Sequence, residues 1–246
     1  MTQDRYLNYL ANVHCVDDAV AKIRSLDRKS CFDASFLEHE LIPGLGLNDE
    51  GLNEQPAELA KYFGKGLHLW QYPSQLARYL VFLAFNAKSV KRYLEIGCRW
   101  GGNFILISEW LQKIGAPIEQ VTAVDPVKQT PFMVRYAEIA AIPVVYIEDL
   151  STSPSFASYI NVSKPDMVFI DGDHSIQGVM FDHLLCRKIA SLIVHHDIYS
   201  HSCPATTLFW DYVKKAETDF DAFEFTDQYE SVNGSFLGIG VLKRRT

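Results

Sequence analysis

The segment Arg92-Tyr93-Leu94-Glu95-Ile96-Gly97-Cys98-Arg99-Trp100-Gly101-Gly102-Asn103 runs from a short apolar strand into a glycine turn. It continues into the helix-like Phe104-Ile105-Leu106-Ile107-Ser108-Glu109-Trp110-Leu111. Glycine has no Cβ and tolerates positive φ, so a strand that ends in glycines and opens a helix lets backbone N–H groups approach a small anionic ligand closely. The spacing Gly97-x-x-x-Gly101-Gly102 departs from the G-x-G-x-x-G of a dinucleotide site.

Working outward, apolar runs recur at 93–96, 121–124, 144–147, 167–170 and 192–194, each separated from the next by a segment long enough for a helix. This rhythm predicts a mostly parallel sheet with helices on both faces. Near the end, Ala222 to Thr226 and Phe236 to Leu242 are β-type runs joined by a turn containing Asn233-Gly234. They are too close together for a helical crossover, and so predict an antiparallel pair. Helices are also expected from Val16 to Leu26, Ser74 to Asn86 and Thr206 to Glu217.

In an open α/β sheet the ligand lies beyond the carboxyl ends of the strands, and here those ends are acidic. Strand two gives Val124-Asp125-Pro126, strand three Ile147-Glu148-Asp149, strand four Ile170-Asp171-Gly172-Asp173-His174 and strand five Val194-His195-His196-Asp197. Asp125 falls roughly 20 residues beyond the glycine turn, where a carboxylate accepts hydrogen bonds from a ribose diol; the alternative is a helix cap.

The glycine turn with Glu95 ahead of it resembles motif I of the class I S-adenosylmethionine-dependent methyltransferases. The resemblance implies a Rossmann-like α/β sheet, S-adenosylmethionine as cofactor, Glu95 on the methionine ammonium side, Gly97, Gly101 and Gly102 along the cofactor, and Asp149 beside the adenine amino group. Asp171-Gly172-Asp173-His174, Ser175-Ile176-Gln177-Gly178-Val179 and His195-His196-Asp197-Ile198 narrow it further. Over roughly residues 60 to 243 the chain resembles the subgroup that includes metal-dependent sugar O-methyltransferases of antibiotic biosynthesis and cephalosporin hydroxylase-like proteins.

By that resemblance Asp171, His196 and Asp197 hold a divalent metal, magnesium or manganese, and His174 is the catalytic base. A hydroxyl is a poor nucleophile at neutral pH, so a cation that stabilises the developing alkoxide and an imidazole that takes the proton both help. The relatives carry an acid where this chain has His196, which shifts the preference from magnesium toward manganese, iron or zinc, or toward no metal. Asp171, Asp197 and His174 are also ordinary residues for a helix start. His195 is expected to point away from His196 along the strand, as a hydrogen-bonded core residue.

The acceptor side is drawn more loosely. Trp70, Gln71 and Tyr72 precede a proline-started helix and either line an acceptor pocket or pin that helix to the sheet. Tyr199 and His201 lie in the polar loop after strand five, a common place for acceptor contacts and equally for plain surface residues. Cys203 in the same loop has no thiolate chemistry to perform in a methyl transfer.

Residues 1–60 mix short helical patterns with turn-rich stretches and read as a lid or a homo-oligomer-forming appendage to a cofactor-binding domain at 61–246. Across 246 residues, 48% hydrophobic and 22% charged content describes a globular chain with a sizeable core. A net charge of −7 argues against a general nucleic-acid binder. Five cysteines without C-x-x-C spacing, no apolar run of about 18 residues and no signal-peptide h-region predict a reduced, cytoplasmic protein without a membrane span.

The expected function is transfer of a methyl group to a hydroxyl of a small molecule or glycan. Two alternatives stand beside it: a hydroxylase-associated enzyme in which two imidazoles and an acid bind iron, and a non-catalytic binding or assembly subunit built on the same fold.

Overall fold

The computed structural model describes residues 12–50, 55–232 and 234–245. Seven strands form one sheet: β1 (Arg92–Ile96), β2 (Gln120–Asp125), β3 (Val144–Glu148), β4 (Met167–Ile170), β5 (Leu192–His196), β6 (Phe220–Phe225) and β7 (Ile239–Arg244). Their spatial order is β3-β2-β1-β4-β5-β7-β6. The first five pair in parallel, and β7 runs antiparallel to both β5 and β6. The order in which strands are added therefore reverses between the parallel neighbours β1 and β4, which places the ligand crevice there.

Helices cross over between the strands, among them Gly102–Lys113, Pro131–Ile139, Pro154–Ser163, Ile176–Cys186 and Pro204–Ala216. The period-2 pattern sorts each strand's side chains. Tyr93, Phe169 and Val194 enter the larger core beneath the helices Pro73–Asn86 and Gly102–Lys113. Leu94, Ile96, Val168, Ile170 and Ile193 enter the core on the opposite face, with Phe209 and Trp210.

The last strand differs from its expected span. β7 begins at Ile239 rather than Phe236, because Leu237 and Gly238 have φ of 62° and 101° and break the extended chain. A Cβ on Gly238 would press against Ile198 and Tyr199, so glycine is required at this bend. Asn233 of the expected turn lies outside the described residues.

The described N-terminal residues share the main core. The helix His14–Ser25 buries Val16, Ala19, Val20 and Ile23. Its Arg24 donates to both carboxylate oxygens of buried Glu109, at 2.7 and 2.9 Å. Residues 1–11 and 51–54 of the expected appendage lie outside the described residues.

Candidate active site

A cavity of about 730 Å³ opens at the carboxyl ends of β1, β2, β4 and β5, within the range of small-molecule sites. Its wall contains Glu95, Gly97, Gly102, Asp125, Asp149, Asp171, His174, His196 and Asp197, together with Trp70 and Gln71. Gly101, Tyr72, Tyr199 and His201, also expected at the site, are not on that wall.

At the β1–β4 reversal, Asp171 N–H donates to the Ile96 carbonyl. A Cβ on Gly97, at φ 80°, would stand 2.0 Å from the Asp171 carbonyl oxygen. This glycine is demanded first by the close approach of two backbones. Gly101 has the same φ region, and the space its Cβ would take is filled by the Met133 side chain.

Asp125 closes the turn from β2. It accepts the backbone N–H of Arg99 at 2.8 Å and of Val127 at 3.0 Å. Glu95 is 2% exposed, and accepts from the Tyr93 hydroxyl and, at 3.1 Å, from Asn103. Burial raises its carboxyl to about 8, against the opposing Tyr93 hydrogen bond, and the nearby Asp171 charge adds to the rise. Asp149 lines the cavity with its carboxylate already taking the Ser153 hydroxyl (2.6 Å), the Ser155 hydroxyl and the Leu150 N–H, so it also ties down the start of the next helix.

The acids of β4 and β5 converge with two histidines. His196 Nδ1 lies 3.2 Å from Asp171 Oδ1 and 3.3 Å from Asp197 Oδ2, without hydrogen-bond geometry to either. His174 Nε2 is 3.1 Å from Asp171 Oδ1 and 3.7 Å from Asp197 Oδ2. Asp197 holds a left-handed φ of 57°, a strained value for a residue with a Cβ, while Thr206 and Thr207 donate to its carbonyl.

A chain of amides fixes the proton on His196. The Gly238 N–H donates to Gln75 Oε1 at 3.1 Å, so the Gln71 amide group that faces Gln75 Oε1 is its NH₂. Gln71 then presents Oε1 to His196, and His196 Nε2 carries the hydrogen. In the neutral ring the Nδ1 lone pair would point between two carboxylates, an arrangement that calls for a cation. Without a metal a proton fills that role: burial alone would lower the imidazole, but Asp171 and Asp197 hold it well above its usual value. In turn Asp171 is brought down to about 2, burial being outweighed by His196 and His174.

One nitrogen and two carboxylate oxygens within 4.8 Å of one another form a donor set that suits a divalent metal. Gln71, on the cavity wall, therefore sets the orientation of the His196 ring. Metal-ligating histidines commonly have such a partner on the far ring nitrogen.

The other expected acceptor residues are placed as follows. Tyr72 is fully buried against Tyr229 and Phe236, which lie between β6 and β7 and outside the sheet. Trp70 stacks over Trp100 at 6.1 Å, and the Arg99 guanidinium lies over both rings at 4.6 and 4.1 Å while pairing with Glu50 at 2.7 Å. Tyr199 is largely exposed, and His201 Nδ1 binds the Ser235 carbonyl at 2.5 Å. His195 faces the opposite core against His183, Phe209 and Trp210.

Contributors to the wall without an assigned role in the sequence include Arg99, Trp100 and Cys203. The first two stand inside the glycine segment itself, where flanking side chains were open to the same reading. Cys203 Sγ lies 3.2 Å from His174 Nδ1, a contact with no local signal.

Among known proteins, residues 94–198 match the family described as "Methyltransferase domain". Rhamnosyl O-methyltransferases of Mycobacterium tuberculosis and Mycobacterium bovis are 27% identical over 131 residues, covering 51% of this chain. The chain spans about half the length of these curated relatives. The structure of a Clostridium thermocellum protein with a proposed rRNA-methylase role superposes with a TM-score of 0.50 at 10% identity, over 72% of this chain and 100% of that one. The S-adenosylmethionine complex of an O-methyltransferase of tomaymycin synthesis from Streptomyces achromogenes gives 0.49 at 15% identity, over 72% and 82%. The strand order and the likeness to the Clostridium protein identify the class I methyltransferase fold. Among the described residues, no helix is long and apolar enough to cross a membrane.

Proposed function

We propose that the methyltransferase domain carried by residues 94–198 moves the methyl group of S-adenosylmethionine to a hydroxyl of a small molecule or glycan. The observation that carries this reading is the joining of two groups of residues on one cavity wall: Glu95 and Asp125 around the glycine turn, and Asp171, His174, His196 and Asp197 beside them. The names of the mycobacterial relatives support a sugar hydroxyl as acceptor.

In this reading Glu95 faces the donor's ammonium group, and Asp125 takes the ribose diol on the lone pairs that Arg99 and Val127 leave free. The acceptor oxygen attacks the methyl carbon in line as the carbon–sulfur bond breaks, leaving the electron pair on sulfur as the neutral thioether S-adenosylhomocysteine. The hydroxyl proton passes to His174. Holding the two reactants in this alignment supplies much of the rate.

Asp171, His196 and Asp197 would hold a divalent cation, which supplies charge stabilisation to the developing alkoxide. The residues around it set the base. The Asp171 hydrogen bond, helped by Cys203, lifts His174 to about 10, so beside free carboxylates the ring keeps its proton at neutral pH. Charge drawn from Asp171 and Asp197 weakens that hold and frees His174 to accept a proton.

Calorimetry with S-adenosylhomocysteine tests the reading. Micromolar binding to the wild type, lost in Asp125→Ala, is expected; no wild-type binding at millimolar ligand would sink it.

A further inference from the structure

Methyl transfer needs no thiolate, yet the fold builds the Cys203 thiol into the cavity wall. The Cys203 N–H donates to the Ser200 carbonyl, and Pro204 follows as the first residue of the helix Pro204–Ala216. The Thr206 hydroxyl lies within hydrogen-bond reach of both the Cys203 carbonyl, at 2.8 Å, and the Asp197 carbonyl, at 2.9 Å. The Thr206 hydroxyl, which donates to one of these carbonyls at a time, thus stands between the thiol segment and the strained end of β5. His174 reaches the same place from β4, with Nδ1 3.2 Å from Cys203 Sγ. Donor atoms of His174, Asp197 and Cys203 all fall within 4.8 Å of one another.

We propose that His174, Asp197 and Cys203 form a second cation position, overlapping the Asp171–His196–Asp197 set at Asp197 and selecting a thiophilic divalent ion such as zinc or cobalt. The spacing suits it. Donors about 2.0–2.3 Å from a tetrahedral zinc stand roughly 3.3–3.7 Å from one another; the separation of the thiol from His174 Nδ1 is already 3.2 Å, and the Asp197 carboxylate closes the set to within 4.8 Å.

The chemistry suits it as well. A thiolate, an imidazole and a carboxylate make a soft, mixed set that favours zinc or cobalt over magnesium, whereas the first set has two carboxylates and no sulfur. Three protein donors leave the fourth position to water. Binding releases two protons to solvent, one from the thiol as the sulfur–metal bond forms and one from the imidazolium of His174, which is otherwise lifted to about 10, as the nitrogen–metal bond forms.

The Asp197 carboxylate serves both sets, so the two positions compete. An ion on the thiolate set also occupies the His174 ring. Zinc is therefore an inhibitor of turnover, a consequence that rests on the methyl-transfer reading; the binding itself does not.

The test uses reduced, metal-stripped full-length protein and cobalt(II) under anaerobic conditions. Wild type is expected to show a near-ultraviolet thiolate-to-cobalt charge-transfer band that saturates at one equivalent. Asp171→Asn keeps the band and Cys203→Ser loses it, with at least tenfold weaker zinc binding in a chelator competition. Equal S-adenosylhomocysteine affinity in Cys203→Ser and wild type shows that the variant is folded and that the donor site is untouched. No band in the wild type, a band that survives Cys203→Ser, or loss of the band in Asp171→Asn overturns the second position. A measurement without variants runs in parallel: zinc slows alkylation of Cys203 by iodoacetamide, followed by peptide mass spectrometry, and an unchanged rate also overturns it.

Discussion

The buried carboxyl of Glu95 makes cofactor binding depend on pH in a direction that can be worked out. Burial favours the neutral acid and raises it to about 8, so a cationic amine that docks against it at lower pH must expel a proton. At pH 6 only about one Glu95 in a hundred is ionised, and at pH 8 about half are. The ligand is a free amino acid thioether whose amine stays largely protonated over this range, so the charged pair becomes about fiftyfold more available from pH 6 to pH 8. Titrations with S-adenosylhomocysteine between pH 6 and 9, in buffers of different ionisation enthalpy, read both the affinity and the proton released. Glu95→Gln keeps an acceptor for Tyr93 and Asn103, and should bind more weakly with a flat acid limb and no proton release. A flat wild-type profile from pH 6 to pH 8, or an acid limb that persists in Glu95→Gln, would refute the pairing of Glu95 with the ammonium group.

Other outcomes follow from single contacts. His174→Gln should lower turnover by about 10²–10⁴-fold while S-adenosylhomocysteine affinity stays nearly constant, whereas a parallel loss of affinity would make His174 structural. Gln71→Leu removes the partner of His196 Nε2 and should weaken divalent-metal binding by about 10–100-fold, read by equilibrium dialysis with manganese. Arg24→Ala removes the cationic partner of the Glu109 carboxylate, which is 1% exposed and keeps the Tyr136 hydroxyl and the Gln112 amide as donors. That should cost about 1–3 kcal/mol, or roughly 3–10 °C in melting temperature for a chain of this size, and no change would show that the N-terminal helix contributes little. Gly97→Ala adds a Cβ 2.0 Å from the Asp171 carbonyl oxygen and should destabilise by at least about 2 kcal/mol, seen in the same melts.

The sheet was legible in the sequence because its signals are local. Apolar runs bounded by acids and glycines mark where strands end, and the five parallel strands fall on those runs, β4 at the expected residues and the others within two residues at either end. The side-chain period of two sends His195 and His196 to opposite faces from the primary sequence alone. β7 was anticipated less well, because the bend at Leu237 and Gly238 answers to packing against Ile198 and Tyr199 from another strand's end.

What the chain's order of residues determined was the set of acids and histidines delivered to one sheet edge, since each sits immediately after its own strand. What only the tertiary structure decided was how those groups are partnered. Gln71 meets His196 across 125 positions and Cys203 meets His174 across 29. Tyr72 turns into the core beside Gln71 on the wall. Arg99 covers the Trp70 face offered to an acceptor. A side chain's type and spacing fix what it is able to do, but proton placement and metal preference depend on atoms within about 3–4 Å, and those neighbours are chosen by the folding of distant segments onto one another.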